Sequence, residues 1–379
     1  MKPSFYEFFA GGGMARAGLG TNWRCLFAND VDAKKGRTYR ENWGHAELQT
    51  TDVRLLATKD LPGVANLAWA SFPCQDLSLA GNGAGLSGDR SGTFWPFWHL
   101  MQGLISEGRA PNLIALENVC GALTSHQGDD FATICGLFQK AGYLVGAFVI
   151  DAVLFVPQSR PRLFVVGIGR DVSLPVAVTA EGPLQPWHSP TLIRAYERLP
   201  PATKSAWLWW RLPLPAVRSH NFADLIENGP AWFSGEKTRQ LLAMMSAVNR
   251  AKVAAAQREG RPVVGGVYKR TRPDETGQKV QRAEVRFDDV SGCLRTPAGG
   301  SSRQLVLRVE GKSIQARLIS SRETARLMGL PDNYILPENY NEAYHLTGDG
   351  VVVPVVRHIA AHILEPALRA ARPRKTAAA

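Results

Sequence analysis

The stretch SFYEFFAGGG, residues 4–13, decides the fold class from the start of the chain. Its apolar part, Ser4–Phe9, predicts a short β-strand. The glycines that follow allow a tight strand-to-helix turn and let the backbone approach a ligand closely. Such a turn suits a nicotinamide cofactor or is merely a tight turn, so it does not identify a function by itself.

Further apolar stretches predict more strands, and helical sequence lies between them. The predicted strands are Arg24–Ala28, Asn66–Ala70, Leu113–Leu116, Tyr143–Ile150 and Leu163–Ile168, and the predicted helices are Asp32–Asn42, Thr93–Ser106 and Asp130–Ala141. This alternation predicts the α/β class, with a doubly wound, mostly parallel sheet. Ligands of such sheets bind at the carboxyl ends of the strands.

Two acids on the first half of this sheet predict an adenosine-containing cofactor. Asp30 follows the glycine turn by about 20 residues, a spacing at which a carboxylate accepts hydrogen bonds from both ribose hydroxyls. Asp52 follows another predicted strand and is suited to accept a hydrogen bond from an adenine amino group.

Three short motifs carry reactive or charged side chains at strand ends. Cys74 follows Pro73 in Ala70–Gln75, and a thiol there is either a nucleophile or a buried, inert cysteine. Glu117 ends an apolar strand and is either a site acid, an N-cap or a surface acid. Arg160 and Arg162 lie in QSRPR, residues 158–162, which alone reads as an exposed basic turn. Together, in order on one sheet edge, the motifs predict an active site.

The composition limits the partners and the compartment. The 379 residues carry a net charge of +11, which favours a polyanionic partner such as nucleic acid or an anionic membrane. Five scattered cysteines form no CxxC pair and no zinc-type cluster, so we expect no metal and a reducing cytosol. Neither a signal peptide nor an apolar run of the roughly 20 residues of a membrane helix is present, so we expect a cytoplasmic protein.

The second half of the chain has a different character. Residues 182–215 contain seven prolines and a tryptophan cluster, which suggests a linker or an irregular entry into a second module. Residues 250–286 carry ten Lys and Arg against four Asp and Glu, typical of a solvated basic loop or a polyanion-binding surface. Helical signals return at Ser320–Glu323 and over Pro354–Ala371.

Taken together, the motifs resemble those of the cytosine-5 DNA methyltransferase family, of the bacterial and phage restriction-modification type. FAGGG resembles the cofactor turn of that family, FPCQ its nucleophile loop, Glu117-Asn118-Val119 its Glu-Asn-Val motif and QSRPR its Gln-x-Arg-x-Arg motif. RETARLMGLPDNY, residues 322–334, resembles the motif that supports the recognition domain. The chain departs from the family in Glu7, Met14 and Asp349, where Asp, Gly and Asn are more usual.

The resemblance implies S-adenosyl-L-methionine as cofactor and a base-flipping, covalent mechanism. Cys74 would attack C6 of cytosine, Glu117 would hydrogen-bond the ring, Arg162 would hold O2 and Arg160 would tune the electrostatics. The cofactor-binding residues it implies are Phe9, Ala10, Gly11, Gly13, Asp30, Val31, Asp52, Pro73, Asp349 and Val351. The implied partner is double-stranded DNA, with a cognate restriction endonuclease as a further candidate, and the implied state is a monomer.

The same resemblance suggests a division of the chain and a DNA-reading surface. We predict a catalytic domain over 1–185, a smaller, irregular target-recognition domain over 186–310, a return to the catalytic domain over 311–371 and a disordered tail over 372–379. The candidate DNA contacts are Lys269, Arg270, Arg272, Ser301, Ser302, Arg303 and Gln304. In that set the first three suit phosphates, and Arg303 and Gln304 suit guanine and adenine edges.

Four alternatives to this resemblance can be compared with the sequence. A tRNA cytosine-5 methyltransferase would share the catalytic motifs, although the Cys-Phe-Thr signature of those relatives is absent. A nicotinamide-dependent oxidoreductase would explain only the glycine turn. A catalytically dead DNA-binding protein conflicts with the intact Cys74, Glu117 and Arg162. A structural protein without a ligand explains none of the motifs.

Overall fold

A seven-stranded sheet is the centre of the fold in the computed structural model, which describes residues 2–73, 91–273, 277–296 and 303–370. Its strands are β1 Ser4–Phe8, β2 Arg24–Asp30, β3 Leu48–Thr50, β4 Leu67–Ala70, β5 Leu113–Val119, β6 Tyr143–Asp151 and β7 Pro161–Gly169. The strand order is β3-β2-β1-β4-β5-β7-β6. The pairs from β3 to β5 are parallel and β5–β7 is antiparallel. The predicted doubly wound, mostly parallel α/β sheet is confirmed.

Helices and short strands complete the chain. The helices are α1 Met14–Leu19, α2 Ala33–Trp43, α3 Phe94–Ser106, α4 Asp129–Lys140, α5 Pro190–Glu197, α6 Pro201–Lys204, α7 Gly235–Ala243, α8 Ala247–Arg258, α9 Ser321–Leu327, α10 Tyr340–Asp349, α11 Val353–Ile359 and α12 Glu365–Ala370. The remaining strands are β8 Thr179–Ala180, β9 Trp209–Trp210, β10 Val263–Pro273, β11 Lys279–Arg286, β12 Leu305–Glu310 and β13 Ser313–Leu318. A π-helical turn, Ala360–Leu364, joins α11 to α12.

The chain folds into two compact units. Of the described residues, the first unit contains those within 2–150, 161–215 and 353–370, and the second contains those within 151–160 and 216–352. These boundaries differ from the predicted 185/186 and 310/311. The proline-rich segment belongs to the first unit because its apolar side chains are buried there, with Trp187 and Trp210 almost fully covered. Residues 311–352 belong to the second unit because β13 pairs with β12.

The first unit has an aromatic-rich core beneath the sheet. Phe8 packs on Phe97 with ring centroids 5.0 Å apart, and Trp98 packs on Phe138 at 5.0 Å. Burial of such large side chains stabilises the sheet through the hydrophobic effect. From β1, the chain continues to β2 on one side of the sheet and later returns to β4 on the other side. Ligands of such sheets bind in the crevice that this change of direction leaves at the carboxyl ends of the strands, so we expect the ligand beside β1.

The second unit is built on a four-stranded antiparallel sheet with the order β11-β10-β12-β13. Helices α7 and α8 cover one face, where Leu241, Val253, Val267 and Leu307 form the core. Helix α9 begins with a capping box, in which the Ser320 hydroxyl accepts from the Glu323 N–H and the Glu323 carboxylate accepts from the Ser320 N–H. The helix start predicted at Ser320–Glu323 is confirmed.

Among the described residues, one helical stretch has the length and the hydropathy that a membrane-spanning helix would need. Tyr340–Ala370 is long and apolar enough by length and composition, although 56% of its most apolar window is buried inside the protein. Core helices pass the same test, and this stretch includes α10, α11 and α12.

Candidate functional site

The glycine turn after β1 has a conformation that its residues and neighbours fix. Gly11 and Gly13 have φ of 54° and 77°, and Phe9 has φ of 57°. A Cβ on Gly13 would lie 2.4 Å from Trp43 Nε1, so only glycine fits there. The Trp43 indole donates to Gly12 O at 2.9 Å and holds the turn from α2. The positive φ of Phe9 is a local strain of the kind found at ligand sites.

Asp30 joins the glycine turn to the end of β2. Its Oδ2 accepts from Gly11 N at 2.7 Å and its Oδ1 accepts from Asp32 N at 2.8 Å. Burial raises the pKa of Asp30, and the nearby Lys35 opposes that shift. The next residue, Val31, is 68% exposed and offers an apolar surface beside the carboxylate. Open space lies where a Cβ of Gly11 would be. This combination fits an adenosine, with an acid for ribose and an apolar side chain for the base.

Glu7 is a buried acid beneath this turn. Its side chain is 1% exposed, and its Oε1 accepts from Arg16 N at 3.2 Å. Burial raises the pKa of Glu7 to about 8, against the opposing effect of the Arg16 main-chain N–H and charge. The carboxyl therefore takes up a proton much more readily than an exposed glutamate does.

Asp52 has a local partner. It caps a short helical turn, and Arg54 donates to both of its carboxylate oxygens, from Nε to Oδ1 and Oδ2 at 3.0 Å each and from Nη2 to Oδ2 at 2.6 Å. Hydrogen bonds from Arg54 hold the pKa of Asp52 below its usual range, so it stays an anion. Its contact with an adenine amino group remains a prediction.

At the carboxyl end of β5, the acidic side chain of Glu117 lies next to the basic side chain of Arg162. Glu117 Oε1 lies 3.1 Å from Arg162 Nε, and the two side chains are only 8% and 17% exposed. Antiparallel pairing of β5 with β7 produces this contact, because Val119 lies opposite Arg162. Because both side chains are largely shielded from water, the charge-assisted hydrogen bond between them is strong and holds the two groups in a fixed orientation.

Asn118 holds the segment that leads to the predicted nucleophile. Its Nδ2 donates to Phe72 O at 3.3 Å, while its Oδ1 accepts from Val119 N at 2.8 Å. Phe72 is buried against Phe94, so the chain enters Pro73 from a fixed position. Cys74 itself lies outside the described residues. The positioning role of Asn118 was not anticipated from sequence, because only a β4–β5 pairing makes it visible.

Arg160 connects two loops of the second unit through hydrogen bonds to their main-chain carbonyls. Its guanidinium is buried and donates to Leu294 O at 2.8 Å, Gly348 O at 2.8 Å and Gly350 O at 2.9 Å. Gln158 acts similarly, since its amide donates to Leu327 O at 2.8 Å and accepts from Leu294 N at 3.0 Å. These contacts are with main-chain groups, so the geometry favours a positioning role for Arg160.

Asp349 and Val351 lie at the end of α10 and just beyond it. The Asp349 carboxylate accepts from the Thr296 hydroxyl, and Val351 is 4% exposed. Both residues stay predicted cofactor contacts.

The predicted DNA contacts fall into distinct environments. Lys269 and Arg270 are consecutive in β10, so they face opposite sides of the sheet. The Arg270 guanidinium carbon lies 4.5 Å from the centroid of the Tyr268 ring, and Arg270 Nε lies 3.6 Å from Glu284 Oε2. Arg272 lies opposite Val280 in the same strand pair. Ser301 and Ser302 are outside the described residues.

The side chain of Gln304 is turned inward. It is 3% exposed, its Oε1 accepts from the Ser291 hydroxyl at 2.5 Å and its Nε2 donates to Gly292 O at 2.5 Å. These bonds occupy the amide that the sequence suggested for an adenine edge. Arg303 instead contacts Asn341 and lies over the Tyr340 ring at 5.7 Å.

Solved structures with a similar fold are methyltransferases. Schizosaccharomyces pombe Dnmt2 methyltransferase has a TM-score of 0.60 and 16% identity, over 96% of this chain and 99% of its own. The Entamoeba histolytica methyltransferase EhMeth has a TM-score of 0.63 and 14% identity, over 96% and 98%. The chain therefore shares the overall fold of these structures.

Sequence comparison identifies the family. The profile of the C-5 cytosine-specific DNA methylase family matches residues 4–365. Type II methyltransferase M.HpaII of Haemophilus parainfluenzae is 25% identical over 96% of this chain and 90% of its own. Type II methyltransferase M.NlaX of Neisseria lactamica is 26% identical over 97% and 98%. The chain belongs to the C-5 cytosine-specific DNA methylase family, and the prediction of a DNA (cytosine-5) methyltransferase is confirmed at the family level.

Proposed function

We propose that the protein methylates C5 of a cytosine that is flipped out of duplex DNA, with Cys74 as a covalent nucleophile and S-adenosyl-L-methionine as the methyl donor. The observation that carries this proposal is the contact between the buried Glu117 and the partly buried Arg162, with Oε1 and Nε 3.1 Å apart at the carboxyl end of β5. Its neighbour Asn118 tethers Phe72, two residues before Cys74.

The reaction needs a nucleophile because C5 of cytosine is itself too weakly nucleophilic to be methylated. The Cys74 thiolate would form a bond to C6, the electron pair of the C5–C6 double bond would shift to C4–C5, and the C4–N3 pair would be taken up at N3 together with a proton, which gives an enamine with a nucleophilic C5. Glu117 stabilises this change by hydrogen bonds to N3 and the exocyclic amine, and Arg162 by a hydrogen bond to O2. Once C5 carries the methyl group that the cofactor would supply, loss of the C5 proton to a base and departure of the Cys74 thiolate from C6 would restore the C5–C6 double bond.

The first unit holds the residues proposed for cofactor binding around the glycine turn. Asp30 would accept from the ribose hydroxyls, Val31 would pack on the adenine and Asp52 would accept from its amino group. Phe9, Ala10, Gly11, Gly13 and Pro73 would line the same cofactor. When bound, S-adenosyl-L-methionine supplies the electrophilic methyl group. Asp349 and Val351 of the second unit are proposed as further contacts.

The second unit, residues 151–160 and 216–352, is proposed to contain the target-recognition domain. Extruding a base costs a few kcal/mol, and contacts to phosphates and neighbouring bases must offset that cost. Its basic strands β10 and β11 support this assignment. Arg270 and Lys269 are proposed as phosphate contacts, and Arg303 as a base contact; Gln304 supports the local backbone instead.

Bisulfite sequencing of plasmid DNA from cells that express the protein tests the proposal. Wild-type protein should protect cytosines within one sequence context, and Cys74→Ser should protect none. Glu117→Gln should lower the rate of transfer by about 10²–10⁴-fold, the usual contribution of a general acid or base. Glu107→Gln, at an exposed acid that pairs with Arg109, is the matched control and should keep activity. Random protection or none overturns the proposal, and transfer to tRNA but not to duplex DNA identifies the RNA alternative.

The Type II relatives support a cellular role in restriction-modification. We propose that the protein acts in the cytoplasm, as a monomer, and marks DNA against a cognate restriction endonuclease. Digestion of the plasmid with an endonuclease whose site contains the mapped context checks this role. Plasmid from expressing cells should resist cleavage, and cleavage at the wild-type rate contradicts the role.

A further inference from the structure

A polar surface cavity in the second unit lies between the start of α8 and the edge strand β11. Its volume is about 420 Å³, and its polar lining comes from Ser246, Asn249 and Arg250 on one side and from Arg282 and Glu284 on the other. None of these residues belongs to the catalytic motifs or to the predicted cofactor and DNA contacts. The cavity is therefore distinct from the sites described so far.

Main-chain contacts hold the two walls of this cavity in place. Ala283 N donates to Met244 O at 3.1 Å, which joins β11 to the turn that precedes α8. The Arg250 guanidinium is anchored as well, because its Nη1 donates to Met245 O at 2.9 Å. A guanidinium has five N–H donors, so this bond fixes the position of Arg250 and leaves donors for a ligand.

The charges around the cavity are unbalanced. Arg282 lies directly opposite Arg270 in the β10–β11 pair, a like-charge arrangement that destabilises a sheet. Arg270 has a counter-charge, because its Nε lies 3.6 Å from Glu284 Oε2. Arg282 is partly buried, and within the described ranges it forms no hydrogen bond or ion pair. Arg250 and Arg282 thus face the cavity with two positive charges, against one acid that is already paired.

We propose that this cavity binds a phosphate group, with Arg250 and Arg282 as its main donors. Planar guanidinium groups match the oxygens of a phosphate and form charge-assisted hydrogen bonds to them. A bound phosphate would also offset the repulsion between Arg270 and Arg282. A backbone phosphodiester of DNA and a free phosphate ion present the same oxygens. The backbone is the expected source because the chain belongs to a DNA methylase family, and this choice of source rests on the proposed function.

Fluorescence anisotropy of the full chain with a labelled duplex, over a series of NaCl concentrations, tests the DNA source. Each neutralised phosphate contributes about −0.9 to the slope of log K against log salt concentration. The double variant Arg250→Gln/Arg282→Gln should bind about 10-fold more weakly, with a slope shallower by about 0.9, whether or not the duplex carries the mapped context. A slope shallower by about 1.8 would indicate two separate phosphates and would overturn the shared site.

Two controls separate binding from folding. Arg308→Gln removes the same charge from β12 of the same sheet, outside the cavity, and should keep the wild-type slope. Arg282→Gln relieves the repulsion from Arg270, so without a ligand its Tm should equal or exceed that of the wild type. A lower Tm with an unchanged slope would assign Arg282 a structural role and overturn the proposal.

Thermal unfolding with inorganic phosphate, in place of chloride at constant ionic strength and without DNA, tests the free ion as the source. If the cavity takes the ion, phosphate should raise the Tm of the wild type in a saturable way and leave that of the double variant unchanged. An effect on the slope alone identifies the DNA backbone, and an effect on Tm alone identifies the free ion. Neither effect overturns the site. If the wild type binds no duplex at any salt concentration, the proposed function fails, and the phosphate titration still decides on the cavity.

Discussion

The buried ion pair between Arg317 and Glu323 offers a sharp test of how the second unit is held together. Their side chains are 1% and 0% exposed, and Arg317 Nη1 lies 2.8 Å from Glu323 Oε2. Arg317 also donates to Glu227 O at 2.9 Å and lies over the Trp232 ring at 4.9 Å. We expect Arg317→Met to keep the packing volume and leave Glu323 as a buried anion without its counter-charge.

The size of the effect follows from the partners that remain. Breaking a buried pair by removing one partner costs about 3–5 kcal/mol. Glu323 keeps bonds from the N–H groups of Ser320 and Glu227, at 2.7 Å each, so the lower part of that range applies. For a unit of about 150 residues, each kcal/mol lowers Tm by roughly 2–4 °C, so we expect a fall of roughly 6–12 °C.

Thermal unfolding of the full chain, followed by calorimetry, measures this change. Arg308→Met is the matched control, because it breaks an ion pair of the same type that is exposed to water. Arg308 Nη2 lies 3.0 Å from Glu310 Oε2, and the two side chains are 39% and 52% exposed. An exposed pair contributes about 0–1 kcal/mol, so the control should shift Tm by only a few degrees. A fall for Arg317→Met no larger than that of Arg308→Met refutes the reasoning.

Three further predictions concern the glycine turn and the predicted nucleophile loop. The pKa of Glu7 in the folded protein, about 8, lies above its unfolded value near 4.5, so the free energy of unfolding of the wild type falls as the pH rises between these two values. Glu7→Gln has no such titration, so in urea titrations its free energy of unfolding should rise relative to that of the wild type by up to about 1.4 kcal/mol per pH unit. A difference that does not change with pH would contradict this prediction. Gly13→Ala should abolish measurable S-adenosylhomocysteine binding, whereas Gly44→Ala, with φ of 88° but open space, should keep it; equal affinities would contradict the steric argument. Asn118→Ala should lower kcat by about 10–10²-fold through misplacement of the nucleophile segment, with KM for the cofactor unchanged; a change in KM alone would contradict it.

The sheet was predictable because its strands are short apolar runs that end in polar motifs. All six strands predicted in the first half are confirmed, with β1 observed at Ser4–Phe8 and β5 at Leu113–Val119. The three-residue strand β3, Leu48–Thr50, was not predicted as a separate range, since three residues show no periodicity. Strand ends varied by a few residues, because pairing in the sheet sets them.

Residues beyond 180 were harder to assign because proline and tryptophan content does not reveal tertiary burial. Trp187 donates its indole N–H to Leu212 O at 2.7 Å inside the first unit, a contact across 25 residues. Likewise, Gln304 has the chemistry of a base-reading side chain, and only its contacts with Ser291 and Gly292 show that it is committed elsewhere. Arg160 and Arg162 look alike in QSRPR, yet one contacts main-chain carbonyls and the other contacts Glu117.

Covalent trapping tests the central claim most directly. A duplex with 5-fluorocytosine at the mapped target base is incubated with the protein and S-adenosyl-L-methionine, and the products are separated under denaturing conditions. Because the fluorine at C5 is not lost as the proton is, the adduct to C6 should accumulate as a protein–DNA band with the wild type and be absent with Cys74→Ser. A band of equal strength with Cys74→Ser, or no band with active wild-type protein, contradicts the account.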